Sequence, residues 1–136
     1  VHFSDPIIIR GADKTTVTLT LQNTGAGHHF PTGSPFKEVL LKMRLLYERR
    51  KDDWRQFETA FKVTLGRTIE PHPPWNTLAD TRIQAGGSSS WDWTFALPNT
   101  APQGPWQLEV SLHKQTKGSI QKPEVISIRT FPLVVR

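Results

Sequence analysis

Apolar and polar residues alternate without a break along PWQLEVSLHK (105–114). Trp106, Leu108, Val110 and Leu112 fall on one side of an extended chain, and Gln107, Glu109, Ser111 and His113 on the other. A period of two belongs to a β-strand with one buried face. The same period returns in TTVTLTLQN (15–23), with Val17, Leu19 and Leu21 on one face and threonines on the other. Threonine suits a half-exposed pleated surface. In KEVLLKMRLLYER (37–49), Val39, Leu41, Met43, Leu45 and Tyr47 share a face opposite Leu40, Lys42, Arg44 and Leu46. Its leucines, lysines and arginines are also good helix formers. Five successive apolar odd positions decide for a strand.

Further strands are expected in FETAFKVTLGR (57–67), in EVISIRTFPLVVR (124–136), and at a new edge in PIIIR (6–10). Pro132 points to an edge or a bulge. TRIQAGGSSSWDWTFALP (81–98) reads as a short strand, a Gly-Gly turn carrying Ser88, Ser89 and Ser90, and a strand with Trp91, Trp93, Phe95 and Leu97 on one face. Eleven prolines and nine glycines fall between these runs, the punctuation of an all-β chain. Seven to eight strands with one apolar face each predict an Ig-like antiparallel β-sandwich, a single domain over 1–136. RTIEPHPPWNTLAD (67–80) is expected to be an ordered loop or contact surface, because its prolines break regular ladders.

The chain has no cysteine. Disulfides, thiolate metal sites and CxxCH haem attachment within these residues are therefore excluded. The formal charge is +5. The basic residues are scattered and form no phosphate-tracking stripe, so no nucleic-acid partner is expected. An acidic protein surface is the better match for the charge. No apolar run reaches membrane-spanning length, so no transmembrane segment is expected. The valine start is expected of a mature domain whose signal peptide has been removed, or of a piece cut from a longer chain. No GxSxG elbow, Walker A loop or HExxH is present, and the chain is not expected to be an enzyme.

The candidate functional residues cluster in NTGAGHHFPTG (23–33). Imidazole ligates metals and haem iron, so His28 and His29 are the metal or haem candidates. Adjacent side chains of an extended segment point opposite ways, so the pair is not expected to share one metal. Partners would have to come from His2, His72, His113 or Met43. The alternative is a shaped loop built by Asn23, Gly25, Gly27, Pro31, Thr32 and Gly33, with glycines supplying positive φ. Trp91, Trp93 and Trp106 have core parity. Trp54, Trp75 and His72 lie in or beside loops and are the candidate interface.

The succession of VTLTLQNTGAGHHFPTGSPFKEVLLKMRLLYE, DTRIQAGGSSSWDWTFALP and WQLEVSLHK resembles the haem-free β-sandwich module of multihaem c-type cytochromes. In that group a strand ending in Asn runs into Gly-His-x-x-Pro-Thr-Gly and a long strand. A Thr-Arg-hydrophobic segment with a Gly turn and an aromatic strand follows. These elements match Asn23, Gly27, His28, Pro31, Thr32 and Gly33, then Thr81, Arg82, Ile83 and Gly86; the resemblance spans about 15–114. It implies a periplasmic or extracellular electron-transfer protein whose haem is carried elsewhere. With no CxxCH here, it implies a structural or docking subunit for a cytochrome or another redox or membrane-complex subunit. No cofactor is expected within the chain, and a partner's haem is the one His28 or His29 would meet. The other readings are a ligand- or carbohydrate-binding module using Trp54, Trp75 and 67–80, and a haem- or copper-binding protein using His28 or His29.

Overall fold

Ten β-strands and no helix make up the computed structural model, which describes residues 1–10, 13–24, 27–32, 35–97 and 105–133; of Arg10, Glu58 and Thr59 only the backbone is considered. The long alternating segments form the sheets. β3 (Thr15–Gln22) pairs along its whole length with β8 (Ser88–Phe95). β8 occupies one side of β3, so β1 (His2–Phe3) and β2 (Ile7–Arg10) lie end to end on the other. The second sheet has the order β10 (Glu124–Leu133), β9 (Trp106–Thr116), β4 (Lys37–Arg50), β5 (Asp53–Leu65), all antiparallel.

The alternation places the core where expected. Val17, Leu19 and Leu21 from one sheet meet Val39, Leu41, Met43, Leu45, Leu108, Val110 and Leu112 from the other, all buried in one cluster. Trp93, Phe95 and Trp106 complete it, and Trp91 and Tyr47 pack against it half-buried. Residues 37–50 are a strand because both flanks offer ladders: β9 pairs over Lys37–Tyr47 and β5 closes a hairpin through Lys51 and Asp52. On the outer face of the first sheet, hydroxyls bond across strands. Thr16 meets Thr94 at 2.9 Å, Thr18 donates to Asp92 at 2.6 Å, and Thr20 meets Ser90 at 2.6 Å.

Four expectations need correction or sharpening. The strand number exceeds seven to eight because the N-terminal edge is two pieces and residues 67–80 contain a hairpin. β6 (Arg67–Ile69) pairs with β7 (Thr77–Asp80). The prolines at 71, 73 and 74 sit beyond this short ladder, so they do not break it. Ser88, Ser89 and Ser90 are not a turn; they open β8 opposite Gln22, Leu21 and Thr20. Pro132 does lie on an edge strand, and the irregularity in β10 falls at Val125–Ser127 instead.

Candidate functional site

The Gly-His loop that follows β3 (the GH loop) is organised by Asn23, a polar side chain only 4% exposed. Its Nδ2 donates toward the carbonyls of His28 (2.8 Å), Ile83 (3.1 Å) and Gln84 (3.3 Å). Its backbone N–H donates to Gly87 O at 2.9 Å, and its carbonyl accepts from Gly86 N at 2.8 Å. A buried amide must find partners, and here it finds them on two separate segments. Phe30 and Ile83 then exchange backbone hydrogen bonds of 2.8 and 2.7 Å, fastening the far side of the loop to the buried Ile83. Gly27 adopts φ 66°, the left-handed conformation expected of it. Pro31 is buried and follows a cis peptide bond from Phe30, whereas Thr32 is exposed. Gly25 and Gly33 lie outside the described residues.

Two residues beyond Ile83, toward the N-terminus, Thr81 ties this segment to the base of the hairpin. Its hydroxyl lies 3.1 Å from the carbonyls of Thr64 and Gly66 and accepts from Gly66 N at 3.0 Å. Asp80 and Arg82 form a two-point ion pair of 2.8 and 2.7 Å. Hydrogen bonding from that guanidinium holds the Asp80 carboxyl down at about 2, with a small further contribution from nearby His29. Neither Thr81 nor the Asp80–Arg82 pair had been given a task from sequence.

His28 and His29 are both exposed. His28 Nδ1 lies 3.3 Å from the carbonyl of His29. The candidate co-ligands are dispersed. Met43 is buried in the core. His2 Nδ1 lies 3.4 Å from the Thr24 hydroxyl beside the loop, and His72 is exposed at the hairpin tip. Among the described residues, no three His, Cys, Asp or Glu side chains come together as a metal site.

His113 is on the outer face of the second sheet, with Nε2 2.8 Å from the buried Ser111 hydroxyl. Burial lowers its pKa, Lys42 and Arg44 lower it further, and Glu109 opposes them. A histidine held neutral in the fold but free to charge when unfolded destabilises as pH falls. Stability to urea is therefore expected to be complete above about pH 6.5, the ordinary histidine value, and to decline below it. His113→Gln should flatten that decline; an unchanged pH profile would show that His113 does not contribute.

The candidate interface residues are separated. Trp54 is half-buried opposite Glu48, near the β4–β5 turn. His72 and Trp75 sit at the other end of those strands, beyond the pair Val39–Leu65. The nine steps of β4 from Val39 to Glu48, roughly 30 Å, separate them. Trp75 is 52% exposed, with φ 61° and its N–H donated to His72 O at 3.1 Å. A bulky residue in the left-handed region costs of order 1–3 kcal/mol.

This architecture has a solved counterpart. A penta-heme cytochrome c552 from Thermochromatium tepidum superposes with TM-score 0.66 and 14% identity, covering 94% of this chain and 38% of that one. At that identity the likeness shows the fold alone. The chain thus spans well under half the length of that cytochrome. A sporulation control protein from Bacillus subtilis aligns over 95% of this chain and 46% of its own at 16% identity, but a TM-score of 0.38 is too low to show a shared fold. No family model and no curated protein sequence matches the chain.

Proposed function

We propose that this domain is a non-enzymatic structural or docking module of an extracytoplasmic electron-transfer assembly. The observation that carries the proposal is the sandwich shared with part of a penta-heme cytochrome, in a chain without a single cysteine. Covalent c-type attachment requires cysteine thiols, so any such haem belongs to residues other than these. The Asn23-anchored GH loop fits the same reading. Asn23 turns its amide to holding the loop, and His28 and His29 lie at the surface. There they are available to a partner's haem, as the residues nearest to a cofactor role. The positive net charge suits an acidic redox partner, with steering by charge giving association speed more than affinity.

Amine cross-linking of the native preparation, followed by haem staining and peptide mass spectrometry, tests this. The expected product links this chain to a polypeptide bearing CxxCH motifs. A native preparation that is monomeric, with no haem-stained species joined to it, would remove the proposal.

A further inference from the structure

The end of the sandwich that carries the GH loop also opens an apolar groove of about 490 Å³. Pro35, Phe36, Ile69, Pro71, Trp75 and Lys117 line it. Phe36 is 59% exposed and Trp75 52%. Two large aromatic side chains this open beside one groove are characteristic of binding surfaces. The left-handed backbone at Trp75 strengthens the point, since strained conformations of bulky residues gather at functional sites.

Next to the groove lies a polar depression of about 200 Å³ where Lys37, Lys114 and Lys122 converge from three chain segments, with Glu124 the one carboxylate in its lining. Groove and depression are joined. Lys117 N–H donates to Phe36 O at 2.7 Å, and Lys37 Nζ donates to the Thr116 hydroxyl at 2.8 Å. Lys114 and Lys122 make no ion pair among the described residues.

We propose that this end docks an acidic segment of a partner protein, which seats one bulky apolar side chain in the groove and sets flanking carboxylates on the lysines. The inference rests on the docking role proposed above and gives it a surface. Charge complementarity selects the occupant. An apolar anchor surrounded by charge is the usual energetic layout of an interface, and three ammoniums against one carboxylate call for anions. A second copy of this chain would bring lysines against lysines. A sugar would want several fixed polar groups around its aromatic platform, and the remaining groove lining supplies only Thr68 and Glu70.

The full chain is titrated with the peptide Asp-Asp-Phe-Asp-Asp and, separately, with Lys-Lys-Phe-Lys-Lys and cellohexaose. The readout is the Trp75 indole N–H resonance, assigned by its loss in Trp75→Phe. The acidic peptide is expected to shift it and the other two are not. Trp75→Ala, followed by calorimetry, and the double variant Lys114→Glu/Lys122→Glu should each weaken binding about tenfold, the scale of one interface anchor. Equal response to both peptides, response to the sugar alone, or no response would overturn the proposal. Cross-links in the native complex separate this claim from the broader one. Links from Lys114 and Lys122 are expected. A complex linked instead through Lys51, at the opposite end of the sheet, would keep the docking role and remove this groove from it.

Discussion

Trp106→Ala is expected to cost about 4 kcal/mol, a large share of the 5–15 kcal/mol typical of a domain. Trp106 is only 2% exposed and belongs to the core cluster. Its ring centroid lies 5.6 Å from Tyr47 on β4 and 5.3 Å, edge-on, from Phe57 on β5. It also pairs with Leu133 at the end of the edge strand β10. Truncation would remove apolar burial, two aromatic contacts and support for that edge together, and a close-packed core does not collapse to fill so large a void. With a urea slope of about 1.5 kcal/mol per molar, the unfolding midpoint should fall by about 2 to 3 M. Trp75→Gly is the internal comparison. Trp75 is half-exposed at φ 61°, where glycine is unstrained, so this variant should hold its midpoint or gain slightly. Similar losses at both tryptophans would contradict the division into a core and a surface tryptophan.

Asn23→Asp is expected to be the most damaging single-atom exchange in the candidate site, worse than Asn23→Ala. In the wild type, the Nδ2 group serves carbonyls of His28, Ile83 and Gln84. Alanine removes the donor and leaves the buried Ile83 carbonyl and the part-buried His28 and Gln84 carbonyls wanting, at about 3 kcal/mol in all. Aspartate adds a buried carboxylate facing carbonyl oxygens, which costs desolvation as well as the lost donor. Thermal unfolding should show the order wild type, alanine, aspartate. Hydrogen exchange at the Phe30 and Ile83 amides, which bridge the loop, should accelerate in both variants before the core amides do. Aspartate as stable as wild type would show that Asn23 does not hold the loop.

Much of the fold was legible because the strands are amphipathic. Val17, Leu19, Leu21, Val39, Leu41, Leu108, Val110 and Leu112 are buried at the parities their sequence pattern requires. The hairpin within 67–80 was not legible, since three proline positions obscured a ladder only three pairs long. The serines at 88–90 looked like turn residues. They are strand residues because the last three residues of β3 offer them a ladder, with the Thr20 hydroxyl bonding Ser90. Within the site, Asn23 was recognisable as a loop residue, but the acceptors at Ile83 and Gln84 come from a segment about 60 residues away. Trp54 and Trp75 looked equivalent from composition, yet Trp54 lies beside the turn of the β4–β5 hairpin and Trp75 beyond its open end.

The sequence by itself determined an all-β chain, the faces of its main strands, and the exclusion of cysteine chemistry. Those properties are local: side-chain parity and residue type need no knowledge of neighbours. Tertiary structure alone decided which loops meet. Chain reversals at 51–52 and 84–87 bring Asn23, Ile83 and Thr81 together, and leave Phe36, Trp75 and the lysines at 37, 114 and 122 at one end of the sandwich. Such convergence depends on strand length and register, which ladder hydrogen bonds and packing set jointly and no short stretch of sequence encodes.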